Sequence, residues 1–150
     1  DILDGWTGDD TLFGEAGNDL LMGFTGNDVL QGGSGSDNLM GEDGNDFLNG
    51  YGGTFGELDI LSGGFGADVF ALGDAFSLYY QGSGYATITD FNFAEGDKIQ
   101  VLGSASSYSL SFQNFSGGLG LDTLIFFGSD LIGVVQDNTD VVPVFDFVTA

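Results

Sequence analysis

The chain has 150 residues, with 23 acidic side chains against one base, Lys98, and a formal net charge of −22. That balance excludes nucleic acid and an anionic membrane face as partners. With no cysteine and no histidine, disulfides, zinc–thiolate sites and Ser-His-Asp or Cys-His catalysis are excluded too.

Apolar residues make up 42% of the chain, enough for the core of one domain or one elongated unit. No apolar run reaches the ~18 residues of a membrane span, and no basic stretch followed by an apolar one opens the chain as a leader would. Carboxylate-only chemistry such as glycoside hydrolysis stays formally open.

The first four residues, Asp1-Ile2-Leu3-Asp4, match the second half of a phrase that then returns from Gly5 onward. The expectation is a chain that starts inside a repeat, as a fragment or processed product of something longer. Nine-residue units follow: G-W-T-G-D-D-T-L-F, G-E-A-G-N-D-L-L-M, G-F-T-G-N-D-V-L-Q, G-G-S-G-S-D-N-L-M and G-E-D-G-N-D-F-L-N. Aspartates fall at Asp10, Asp19, Asp28, Asp37 and Asp46, each followed two places on by leucine. A looser unit from Gly50, with about four extra residues, ends in Asp59 and Leu61, and a clean one closes at Asp68 and Phe70. Such a period fixes architecture before any single residue is weighed.

Glycine at the first and fourth positions permits a tight turn with φ > 0. The Asp-x-Leu triplet that follows suits a short strand, with leucine inward and its neighbours outward. Leucines stacked from coil to coil form a continuous seam, worth about 1.5–3 kcal/mol for each fully buried side chain. With two units per coil, one flank carries Asp10, Asp28, Asp46 and Asp68, and the other Asp1, Asp19, Asp37 and Asp59. At a strand spacing near 4.8 Å, adjacent carboxylates repel by about 0.8 kcal/mol in water and about 3 kcal/mol at an effective dielectric of 20.

A hard dication removes that penalty, because calcium takes six to eight oxygens from carboxylates and carbonyls in flexible geometry. Asp10, Asp19, Asp28, Asp37, Asp46, Asp59 and Asp68 would supply charge. Gly8, Gly17, Gly26, Gly35, Gly44 and Gly66 would shape the turns and offer carbonyls. The count expected is about five or six calcium ions, with the Gly50–Asp59 unit the least secure. Without them the acidic, glycine-rich chain is expected to be largely disordered. An EF-hand is excluded, since Asp43-Gly44-Asn45 starts its pattern and does not finish it.

The phrase G-G-x-G-x-D-x-U-x resembles the calcium-binding RTX repeat of secreted bacterial proteins. The resemblance implies an all-β fold: a parallel β-roll, a calcium-binding solenoid, over residues 1–72, followed by a β-rich C-terminal cap over 73–150. Departures gather at the second glycine, replaced by Trp6, Glu15, Phe24, Glu42 and Tyr51 and kept only at Gly33 and Gly64. Trp6 and Phe24 lie two units apart and stack on one flank. They either mark a surface for self-association or for another chain or glycan, or simply cover the neighbouring turn.

Beyond Phe70, short β-branched and aromatic runs are expected as strands at Ala67–Leu72, Tyr85–Phe91, Lys98–Leu102, Tyr108–Phe112, Leu121–Phe127 and Leu131–Gln136. No sustained helical period is present. The 67–70, 88–91 and 96–99 phrases resemble the region after the last RTX repeat, and 84–141 resembles the C-terminal region of cyanobacterial RTX proteins. Asp90 and Asp97 read equally as a further ion site or as turn caps. The tail from Val144 to Ala150 is similar in character to an uncleaved type I secretion signal, or forms a last edge strand. The resemblance implies an extracellular, non-enzymatic module that folds on calcium after export. The alternatives are a self-assembling structural or adhesive protein and the non-catalytic C-terminal part of a secreted enzyme.

Overall fold

In a computed structural model the described residues are 1–73, 77–118, 120–138 and 147–149. The chain winds into flattened coils, and each coil gives one short strand to each of two sheets. One sheet takes β1 (Ile2–Asp4), β3 (Leu20–Thr25), β5 (Asn38–Asp43) and β7 (Leu58–Phe65), all parallel. The facing sheet takes β2 (Thr11–Phe13), β4 (Val29–Gly33), β6 (Phe47–Tyr51) and β8 (Val69–Ala71), again parallel. This is the expected β-roll.

Register explains why nine residues suffice. Leu3, Leu21, Leu39 and Leu61 stand in line on one sheet, and Leu12, Leu30, Leu48 and Phe70 on the other. From Leu21 to Phe70 these side chains are fully buried between the sheets. Their strand neighbours alternate outward, as a period of two demands.

Both sheets run on past Leu72. β9 (Tyr85–Ile88) adds parallel to β7, and β10 (Lys98–Val101) adds parallel to β8, so Ile88 and Ile99 extend the two apolar lines. In the first sheet β13 (Asp130–Val135) pairs parallel with β9, and β12 (Asp122–Phe127) and β11 (Tyr108–Gln113) follow antiparallel. β14 (Phe147–Thr149) pairs with β10 at the edge of the second. That is the last edge strand; the remaining tail residues 144–146 and Ala150 lie outside the described residues. Leu72, Leu78, Tyr80, Phe91, Tyr108, Ile125 and Ile132 cover the end of the leucine seam. The one helical element among the described residues is a 3-10 turn at Ala105–Ser107, and no helix there is long and apolar enough to cross a membrane.

Candidate metal centre

The loops between sheets place the repeat aspartates in two columns. In each rung the carboxylate Oδ1 accepts the backbone N–H of the aspartate one coil earlier. Asp28, Asp46 and Asp68 take Asp10, Asp28 and Asp46 in this way at 2.8 Å, while Asp37 takes Asp19 at 2.9 Å and Asp59 takes Asp37 at 2.8 Å. The step is 18 residues along the regular coils and 22 across the irregular unit. The backbone nitrogen of Asp1 meets Asp19 Oδ1 in the same place.

The second oxygen behaves differently. Oδ2 of Asp10, Asp19, Asp28, Asp37, Asp46 and Asp68 is buried with no hydrogen-bond partner. A buried carboxylate without compensation costs several kcal/mol, so six in register call for a counter-charge. Burial pushes the Asp46 carboxyl up to about 6 and the Asp68 carboxyl up to about 7, against the relief given by the N–H from the coil before. Asp37 is raised for the same first reason.

Each Oδ2 lies close against the first glycine of its own unit, where a side chain would collide with it. A Cβ on Gly5 would lie 3.0 Å from Asp10 Oδ2 and 2.8 Å from the carbonyl oxygen of Gly23, one coil on. The same pairing recurs at Gly14 with Asp19 and Gly32, at Gly23 with Asp28 and Gly41, and at Gly41 with Asp46 and Gly63. A single methyl group there would collide with both carboxylate and carbonyl. These first-position glycines were missing from the site read from sequence, although their signal was there: they persist in every unit while the second position changes freely.

The fourth-position glycines Gly8, Gly17, Gly26, Gly35, Gly44 and Gly66 shape the turns, all at positive φ. Loops stack backbone on backbone here, since a Cβ on Gly26 would stand 2.1 Å from the Gly8 carbonyl oxygen. At the second position Trp6, Glu15, Phe24 and Glu42 still adopt φ of 70–75°, a left-handed geometry that glycine takes without strain. The Trp6 and Phe24 rings stack 5.4 Å apart at 10°.

A further ladder was read in sequence only as a variable position. Asn27 donates its backbone N–H to Asp9 (2.8 Å), Asn45 to Asn27 (2.9 Å), Ala67 to Asn45 (2.8 Å) and Ser36 to Asn18 (3.0 Å). The recurring Gly-Asn-Asp was its signal. Asp90 caps the last loop, accepting from Ser62 Oγ (2.6 Å), Gly63 N (3.0 Å) and Gly64 N (2.9 Å). Asp97 continues the second column, with Oδ1 on Asp68 N (3.0 Å) and Oδ2 on Asn92 N (2.7 Å). Among the described residues no three acidic side chains gather into one cluster, so an ion here would draw its ligands from single carboxylates and backbone carbonyls. The donor set fits a hard cation of that kind.

A family model described as the RTX calcium-binding nonapeptide repeat (4 copies) matches residues 1–21, 22–54 and 58–74. These residues are RTX repeats. The break in the match falls on the irregular unit, and the family's ligand is one that the unpartnered carboxylate oxygens suit. The RTX region is thus a calcium-binding repeat module with a β-roll fold. The whole chain is similar in fold to the solution structure of the AlgE6R3 subunit from the Azotobacter vinelandii mannuronan C5-epimerase, at 24% identity and a TM-score of 0.50, covering 99% of this chain and 78% of that one. No curated protein matches the chain.

Proposed function

We propose that Asp10, Asp19, Asp28, Asp37, Asp46 and Asp68 hold calcium through Oδ2, with carbonyls of the stacked loops completing each site, and that this binding folds the coils. The observation that carries the reading is the double column of six buried, unpartnered carboxylate oxygens, each lying against a glycine that leaves no room for a side chain. A bound dication would supply charge neutralisation and bridge one coil to the next. The carboxylates do the rest: Oδ1 fixes the spacing of coils through the backbone, and Oδ2 is left as a ligand. In a compartment poor in free calcium the coils stay unfolded and the chain exportable; outside the cell the roll closes and stabilises the C-terminal end of a secreted protein.

Titrating calcium into the chelated chain should produce a cooperative rise in β signal by circular dichroism. A spectrum that does not change between chelator and millimolar calcium overturns ion-coupled folding.

A self-assembling or adhesive role has one observation in its favour: Trp6, Phe13, Phe55 and Phe65 are exposed on the outer surface of the RTX region. Sedimentation with and without calcium separates the two, since an assembling protein would grow beyond a monomer only when loaded. A non-catalytic place within a larger secreted enzyme is compatible with either.

A further inference from the structure

Of the seven repeat aspartates, Asp59 is the one whose Oδ2 has a protein partner. The Tyr80 hydroxyl donates to it at 2.6 Å, from a side chain only 1% exposed. We infer that Tyr80 stands in for a cation at Asp59, so that the column of Asp19 and Asp37 ends in a protein donor and the irregular unit binds no ion. The inference rests on the calcium reading of the other six carboxylates.

The surroundings of Asp59 are built for the purpose. Two residues before each repeat aspartate the regular units have glycine, and here the chain has Glu57. Its carboxylate is buried and folds back onto its own loop, accepting from Gly52 N at 3.1 Å and Thr54 N at 2.9 Å, and from the Thr54 hydroxyl. Loop N–H groups are thereby satisfied and the loop keeps its shape with protein groups alone. Tyr80 itself is held at φ 55°, with Tyr51 packed against its ring at 5.3 Å and Tyr79 stacked on Tyr51 at 4.9 Å.

A left-handed backbone at a bulky, fully enclosed tyrosine is unfavourable unless its surroundings impose it, and here the position aims the hydroxyl at Asp59. A neutral phenol bonds the carboxylate without adding charge, and burial drives the Tyr80 pKa upward, so it remains a donor. The second column ends in a comparable way: Asp97 repeats the rung geometry, but its Oδ2 takes the backbone N–H of Asn92. Both columns therefore finish on protein donors, and the number of ions is set by where those donors stand.

The test counts calcium bound per chain by equilibrium dialysis at saturating calcium, in the parent, Asp59→Asn, Asp46→Asn and Tyr80→Phe. Asp59→Asn should keep the parent count and Asp46→Asn should lose at least one ion. Tyr80→Phe, with Asp59 Oδ2 freed beside Gly50, should gain one. Loss of an ion in Asp59→Asn comparable to that in Asp46→Asn overturns the role of Tyr80, as does an unchanged count in Tyr80→Phe. If Tyr80→Phe does not fold, Asp59→Asn alone decides. If Asp46→Asn also keeps the parent count, the calcium columns themselves are the reading that fails.

Discussion

In the coils, Asp28 and Asp46 each place one carboxylate oxygen on a backbone N–H and leave the other buried without a partner. In the cap, Asp122 is just as deeply buried, yet it accepts from Phe115 N (2.8 Å), Ser116 N (2.6 Å), Ser116 Oγ (3.1 Å) and Asp137 N (2.7 Å). Burial alone would push the Asp122 carboxyl up; those donors outweigh it and hold the pKa below the usual carboxylate value. Two halves of one β-structure thus bury the same chemical group with opposite electrostatic outcomes. The coils need a charge from outside, and the cap supplies its own donors.

The sharpest way to break that contrast is to remove calcium and follow hydrogen exchange of the full chain by mass spectrometry. Strands β2 to β6 should lose protection almost completely on chelation, while β11 to β13 retain a substantial part of theirs. Equal loss in both halves would show that the cap draws its order from the coils.

Single carboxylate deletions come next in size. Asp122→Ala removes the shared acceptor of three part-buried N–H groups and should cost about 3 kcal/mol of unfolding free energy in the calcium-loaded chain, with the ion count unchanged. Asp28→Ala should instead weaken calcium binding about tenfold or more, on the scale of lost metal-site partners, as measured by titration calorimetry. A calcium affinity equally affected in both variants would erase the distinction.

Proton linkage gives a third, opposite-signed comparison. Asp46 and Asp59 are pushed up to about 6 and Asp68 to about 7, by burial first of all. A carboxylate raised on folding gives stability that is complete below its unfolded pKa near 4 and lost as pH rises through the folded value. In chelator, then, the β signal of the coils by circular dichroism should rise as pH is lowered from about 7.5 to about 5. With calcium present the trend should reverse, because protons compete for the ligand oxygens. Asp122, held low, loses its contribution only at more acid pH. Parallel pH profiles with and without calcium would contradict the column reading.

The smallest effect concerns the left-handed second position. Glu42, at φ 75°, should be improved by Glu42→Gly by about 1 kcal/mol, the lower end of the cost of such backbone strain. A destabilised Glu42→Gly in calcium-loaded thermal melts would mean that the Glu42 side chain contributes more than its backbone costs.

Much of this was legible in the sequence because the repeat couples two short-range rules. Glycine at fixed places bends the chain, and Asp-x-Leu alternates across a strand. Once two units make a coil, the leucine seam and both aspartate columns follow from counting. The cap strands were legible for the same local reason, from β-branched and aromatic runs between turn residues. Asp90 and Asp97 were not, since a carboxylate that caps a turn and one that binds an ion look alike until its donors are placed.

Sequence by itself determined the period, the inward leucines, the charge that has to be neutralised and the calcium chemistry that neutralises it. Tertiary structure alone decided which carboxylate oxygens lack a partner. Tyr80 lies 21 residues from Asp59 and reaches it only because the chain comes back across the end of the roll. Asp97 became a rung only when β10 stacked on β8. Periodicity is a local property of the chain, whereas the satisfaction of a buried carboxylate depends on whatever the fold brings within about 3 Å of it.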